Sequence, residues 1–401
     1  MKFQRFIRLF TLSVAVLLSM ATLAQTEAKK DSGYVFTIDK QVKATPVKDQ
    51  YSSGTCWSYS TLAFLESELL RMGKPEYDFS EMYCVRKAYE EKAVKYVRYH
   101  GECNFGGGGE NHDVLHTLAT YGLIPEQSYT GLTIGEKKPI HGEMDEVLKD
   151  YLDGVIKNKN NKISPVWFKG YLGILDAYLG EVPEKFTYNN KEYTPENFAK
   201  SLGLYAGDYV SITSFLHHPF YEKFAIELPD NWANGTSYNL PLDEMMLVID
   251  NALSNGYSIA WAADVSEKGF SWKNGVAIVP ETDTSAMTKT ERDKWDKLSE
   301  KEKTNQLYTF EKPGKEKIIT PQIRQEAYDN YQTTDDHGIQ IVGFAHDQNG
   351  TKYYLVKNSW NTSNIYDGYF YASEAYVKYK TISIMVHKDA LPKGTYKKLR
   401  L

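Results

Sequence analysis

The chain has 401 residues and a formal net charge of −5 at pH 7, so it lacks the overall basic footprint of a nucleic-acid-binding protein. Its apolar content is ample for one large domain or two to three modest ones. Only three cysteines are present, Cys56, Cys84 and Cys103, too few and too odd in number for a disulfide-stapled scaffold.

In chain order, Lys2, Arg5 and Arg8 precede an apolar run from Leu9 to Leu23, with small residues at Thr22 and Ala24. This pattern reads as a secretory signal over residues 1–24. The run is short for a membrane span, and polar residues follow at once. The expectation is an exported protein, periplasmic or secreted, with no membrane contact once the signal is removed. After an extended lead-in, a polar loop containing Gln50, Ser53, Gly54 and Thr55 delivers Cys56 to the start of a helix. Leu62, Leu65, Leu69 and Met72 recur at steps of three and four as one buried face, and Gly73 and Pro75 end the helix. A thiol in a first helical turn faces unpaired N–H groups and the positive end of the helix dipole. The expectation is therefore a lowered pKa and a reactive thiolate; the plain alternative is a buried structural cysteine. Cys84 and Cys103 leave open a bridge between them.

Ser80 caps a second predicted helix running toward Tyr99. The run Gly106–Gly109 permits a sharp turn or close backbone approach, but lacks the Lys-Ser/Thr flank of a phosphate loop. A third helix runs from His112 to Tyr121. His112 and His116 share a helix face, yet Asp113 stands where a zinc peptidase has Glu, which rejects that motif. Residues 131–255 read as a mixed, largely helical insertion, and the His217-His218 pair within it as a packed loop. From Tyr257 the pattern turns to strands: 258–263, 276–279, 338–344, 352–357, 368–371 and 381–386, with Asn349-Gly350 and Asp367-Gly368 as turns. Between them, residues 281–335 are polar, with an exposed helix predicted over 288–303.

Two pieces of this second half carry chemistry. His337 stands at the mouth of one strand, and Asn358 at the end of the next but for a hairpin, so antiparallel pairing can bring them side by side. Trp360 is placed to shield their hydrogen bond. Singly, these are a capping histidine, a turn asparagine and a core tryptophan. With Cys56 at a helix start and Gln50 six residues before it, they make a nucleophile, a proton carrier, an orienting amide and an oxyanion donor.

On these residues, together with Asp336-His337-Gly338 and the Asn358-Ser359-Trp360 run, the chain resembles the papain-like cysteine peptidases, in their bleomycin hydrolase/aminopeptidase C branch. The resemblance implies an α+β fold of two lobes, a helical one and an antiparallel β-barrel one, with a helical insertion. Its parts are a helical lobe at 25–130, the insertion at 131–255, a β lobe at 256–392 and a short tail at 393–401. It implies Cys56 as nucleophile, His337 as its proton partner, Asn358 as the group holding the imidazole, and Gln50 with the Cys56 N–H as the oxyanion hole. Gly108 and Gly109 would align substrate backbone, with Trp360 covering the His–Asn bond. The implied activity is peptide hydrolysis through a Cys56 thioester, foremost as an aminopeptidase on peptide substrates, with no cofactor or metal and a homo-hexameric assembly.

Three features depart from the family pattern. Ser53 occupies a position where papain-type enzymes carry a disulfide cysteine, a bridge this branch also lacks. Cys56 and His337 lie 281 residues apart, against about 130–150 to the His and Asn of papain itself. In the branch, the C-terminal tail enters the cleft and meets the substrate's amino group, whereas residues 393–401 are short and basic, which keeps an endopeptidase as the alternative. A transglutaminase-like acyl-transferase would use Asp in the third role, against Asn358. An inactive peptide-binding protein would lack one of the anchors, and all are present.

Overall fold

The structure, a computed structural model, describes residues 33–401 except 283 and 286; the segment read as a signal, 1–24, lies outside the described residues. Strand β1 (Phe36–Gln41) leads into helices α1 (Cys56–Arg71), α2 (Glu81–Arg98) and α3 (Asn111–Thr120). Leu62, Leu65 and Leu69 of α1 are fully buried, as one apolar stripe at helical spacing requires. Ser80 caps α2, its hydroxyl accepting the Tyr83 N–H at 3.1 Å. Helices α4 (Gly142–Ile156) and α5 (Trp167–Leu179) follow, then the hairpin β2 (Phe186–Tyr188) and β3 (Lys191–Tyr193) and helix α6 (Pro195–Leu202). Leu148 and Leu152 of α4, Leu175 of α5 and Phe198 of α6 join the α1–α3 side chains in one helical core.

The second half of the 131–255 region packs elsewhere. Strands β4 (Tyr209–Thr213), β5 (Lys223–Ala225) and β6 (Thr236–Asn239) and helix α7 (Leu242–Ser254) belong to the sheet lobe. Met245, Ile249 and Leu253 of α7 share a core with Trp261, Ile339, Val356 and Ile384. Strands β7 (Ile259–Ala263), β8 (Phe270–Ser271) and β9 (Val276–Ala277) come next. Where sequence predicts one exposed helix over 288–303 there are two, α8 (Lys289–Asp296) and α9 (Glu300–Leu307), because Ser299 and Glu302 form a second capping box. Helix α10 (Pro321–Asp329), strands β10 (His337–Asp347), β11 (Lys352–Lys357) and β12 (Tyr369–Ser373), helix α11 (Glu374–Lys380), strand β13 (Thr381–His387) and helix α12 (Lys393–Leu399) complete the chain.

The lobe is built on one sheet ordered β5-β6-β4-β13-β7-β10-β11-β12-β9-β8, with β1 also paired to β10. Most pairs are antiparallel; β4–β6 and β9–β12 are parallel. The order runs open from β5 to β8 among the described residues, so the expected barrel takes the form of a wide, mostly antiparallel sheet. Strand β10 is its hinge, pairing with β7, β11 and β1, and its first residues press on the start of α1. A Cβ on Gly338 would meet Ser60 Oγ at 2.7 Å and Trp57 Cα at 3.1 Å, so only glycine allows this approach. The contact places Cys56 and His337 in the lining of one cleft. No helix among the described residues is long and apolar enough to cross a membrane.

Candidate active site

Cys56 is the first residue of α1 and His337 the first of β10. Both line one cleft of about 260 Å³ with Gln50, Trp57, Gly108, Gly109 and four acidic residues. The loop before Cys56 is tied internally. Ser53 Oγ donates to the Gln50 carbonyl at 2.8 Å and shares a hydrogen with Thr55 Oγ1 at 2.6 Å. Hydrogen bonds of a buried serine thus occupy the position of the papain-type disulfide cysteine. All three cysteines are free, so the Cys84–Cys103 bridge is not formed.

His337 Nε2 lies 2.7 Å from Asn358 Oδ1. That oxygen also accepts the Ser359 N–H at 2.8 Å, which fixes the orientation of the amide. The imidazole must therefore donate from Nε2, leaving Nδ1 as the basic nitrogen for a thiol proton. Trp360 lies over this bond, its ring 4.5 Å from that of His337. Phe270 and Trp272 pack edgewise on Trp360, extending the apolar cover. Asn358 Nδ2 is buried without a partner, a cost of about 1–3 kcal/mol borne by the group that aims the histidine.

Ser359 is the residue that sequence reasoning left without a role. Its Oγ donates to Gln50 Oε1 at 2.6 Å, and its carbonyl accepts the Gln50 N–H at 2.8 Å. With Oε1 held, the Gln50 Nε2 is the end left to face a substrate oxygen. One residue thus positions both the Gln50 side chain and, through its own N–H, the amide that orients His337. Its place between Asn358 and Trp360 was the available signal.

The electrostatics differ from the expected thiolate. Burial pushes the Cys56 thiol up to about 12, and the Asp335 and Asp230 carboxylates act in the same direction, against lowering contacts from the Gly338 and Trp57 backbone. Burial pushes His337 down to about 4, with the Asn358 bond opposing. In each case burial works against the charged form, and so against the thiolate that a helix start favours.

Gly108 and Gly109 line the cleft, but their missing Cβ atoms make room for the chain's own side chains. A Cβ on Gly108 would coincide with the Asp230 carboxylate, and one on Gly109 would lie 2.8 Å from Asp113 Oδ2 and 2.9 Å from the Trp57 indole. The Trp57 Nε1–H donates to the Gly107 carbonyl at 2.9 Å, which pins the glycine run to the start of α1. His112 and His116 stand apart from the cleft lining, with His116 bonded to Glu91. His217 and His218 both bond the Glu227 carboxylate, the three ligand atoms lying within 4.8 Å of one another.

The family described as "Papain family cysteine protease" matches residues 35–130 and 315–388, which carry every residue named in the Cys–His–Asn–Gln arrangement. Aminopeptidase C of Listeria innocua is 21% identical over 88% of this chain and 82% of its own length. Aminopeptidase C of Streptococcus thermophilus is 22% identical over 94% and 86%. A mitochondrial cysteine proteinase 1 of Saccharomyces cerevisiae is 21% identical over 93% and 81%. Among solved structures, PepW of Lactobacillus rhamnosis superposes with a TM-score of 0.69 at 18% identity, over 91% of this chain and 84% of that one, a likeness of fold. The expected export is corrected by these relatives, whose address is intracellular in bacteria and mitochondrial in yeast.

Proposed function

Because the chain belongs to the papain-like cysteine peptidases, in the aminopeptidase C branch, we propose that it removes residues from the free amino end of peptides. The Cys56 sulfur attacks the first peptide carbonyl, forming a carbon–sulfur bond, while His337 Nδ1 takes the thiol proton. The oxyanion sits between Gln50 Nε2 and the Cys56 N–H. His337 returns the proton to the leaving nitrogen, the carbon–nitrogen bond breaks and a shortened peptide departs. A water deprotonated by the same nitrogen then attacks the thioester and releases the amino acid and the thiol.

The observation that carries the exopeptidase reading is the Asp230 carboxylate over Gly108. The leaving half must face His337, so the acyl half runs toward the glycine run. There the loop around Asp230 is seated on the helical lobe: Asn104 Nδ2 donates to Asp230 at 2.8 Å, Trp232 Nε1 to Asp113 at 2.9 Å, and Gly235 lies flat on the His112 ring. An extended peptide meets this wall soon after its acyl residue, which favours a chain that ends there. The Cys56→Ser protein loses hydrolysis, and iodoacetamide labels Cys56 first. A fluorogenic substrate with a free amino end is cleaved in preference to its blocked form; equal rates favour an endopeptidase.

Two further readings belong to the same proposal. Residues 131–255 are an addition to a two-lobed peptidase, its start supported by the break in the family match, which runs from residue 131 to 314. The assembly is a homo-hexamer, supported by the branch resemblance and tested by sedimentation velocity, in which a monomer would overturn it.

A further inference from the structure

The cleft carries a concentration of negative charge that bond cleavage does not use. Glu110, Asp230 and Asp335 line it with Cys56 and His337, and none of its lining residues is Lys or Arg. Lys92, the nearest buried cation, is already committed, its ammonium bonded to the Gly106 and Gly108 carbonyls. Glu110 is only 6% exposed, and its Oε1 is buried with no hydrogen-bond partner. A buried acceptor offered nothing but a proton shared with the Asp335 carboxyl is costly unless a ligand satisfies it. Asp335 faces Glu110, and burial raises both carboxyls: Glu110 also through the Asp335, Asp113 and Asp230 charges, and Asp335, to about 7, through those of Asp230 and Asp336 against a lowering hydrogen bond with Glu110. Such a pair holds a proton in the empty cleft and gains from any cation that replaces it.

We propose that Glu110, Asp335 and Asp230 form the receptor for a primary ammonium group, the α-amino end of the peptide substrate. This rests on the aminopeptidase reading and names the groups that enforce it. In a peptide cut after its first residue, the α-nitrogen is two bonds from the carbonyl carbon that Cys56 attacks. The ammonium is therefore inside the same cleft whenever the carbonyl is in place. Its three N–H donors require three acceptors, and the carboxylates supply them together with the opposite charge. A blocked amino end brings neither charge nor three donors, and leaves the Glu110 oxygen unpaired. The tail cannot supply these groups from where it lies: Leu399 is buried in the sheet-lobe core, and Thr395 and Lys398 bond Glu244 of α7.

A lysine side chain offers the same chemistry, so the test separates the two sources. Coumarylamides of alanine, acetyl-alanine and acetyl-lysyl-alanine are compared on the full chain and on its Glu110→Gln, Asp335→Asn and Asp230→Asn variants. The native protein prefers free alanine amide. The Glu110→Gln and Asp335→Asn variants lose that preference by about tenfold or more, through KM for the free amine. Asp230→Asn, which keeps an oxygen for Asn104, shows the smaller loss in the same ratio and serves if either buried variant fails to fold. Preference retained within about twofold in the folded variants overturns the receptor and leaves the aminopeptidase reading standing. Absence of preference in the native protein overturns both. Preference for acetyl-lysyl-alanine amide, lost in the variants, reassigns the site to a lysine side chain and overturns the α-amino assignment.

Discussion

At the scale of single residues, the site depends on how two side-chain amides are held. Gln50 and Asn358 each have one end fixed by Ser359, at 2.6 and 2.8 Å, and each presents a group of defined chemistry to the reacting atoms. Replacing Gln50 by Ala removes an oxyanion donor and lowers kcat by about 10²–10³-fold. Asn358→Ala frees the imidazole to rotate and to change tautomer, with kcat down by about 10²-fold and KM little altered. Ser359→Ala removes only the hydroxyl that anchors Gln50, so it lowers kcat by about tenfold, the worth of roughly one hydrogen bond, and leaves the His337 bond intact. Steady-state kinetics on one free-amine substrate checks all three, and a Ser359→Ala loss as large as that of Gln50→Ala would mean that the hydroxyl itself touches substrate. That Cys56, His337, Asn358 and Gln50 come together was legible, because a thiol, an imidazole and two amides leave a pattern of residue types. The burial that pushes the Cys56 thiol up was not legible, because it comes from residues remote in sequence.

At the scale of elements, the site is the junction of α1 and β10, and both were readable from periodicity: Leu62, Leu65 and Leu69 at helical spacing, and the apolar run from Gly338 to Phe344. Helix α7 carried the same signal in Leu242, Met245, Ile249 and Leu253, which mark a buried face. Strand β4 was hidden, because its pairing partner, with Ile212 opposite Ile384, lies near the far end of the chain. A region that reads as one insertion therefore divides between two cores, α4–α6 with the helices and β4–β6 with the sheet. The junction itself tolerates no added atom. Gly338→Ala places a methyl against Ser60 and the Trp57 backbone, forcing β10 from α1 and separating His337 from Cys56. The expected outcome is a stability loss of about 1–3 kcal/mol from overpacking together with a kcat loss far beyond what that shift explains. Denaturant melts and kinetics on the same preparation check it; full activity in a destabilised protein would show that the pair tolerates the displacement.

At the scale of the whole molecule, buried titratable groups set the pH at which the fold is most stable. Burial raises Glu81 to about 7, and Glu126 to about 8, in the cluster around Lys48, and burial raises Asp335 to about 7 in the cleft. Each holds a proton in the native state that it has lost in the unfolded chain above about pH 4–5, so each favours unfolding as pH rises toward its folded value. His141 and His337 act oppositely: burial lowers both to about 4, so the unfolded chain binds more protons between that pH and about 6.5, and stability rises with pH there. The two sets offset one another on the acid side. Above about pH 6.5 the histidines are neutral in both states and only the carboxyls remain, so the melting temperature falls from there to pH 8. Lys357, lowered to about 8 by burial, acts the other way beyond that point, since the unfolded chain then holds the extra proton, but the Cys56 and Cys84 thiols, raised by burial, oppose it there. Glu126, whose Oε2 is buried without a partner, is pushed up to about 8 by burial, so Glu126→Gln flattens the decline between pH 7 and 8. Melts at constant ionic strength across pH 6–8.5 test this, and a melting temperature that holds or climbs from pH 6.5 to 8 would mean that these carboxyls are ionised inside the native fold.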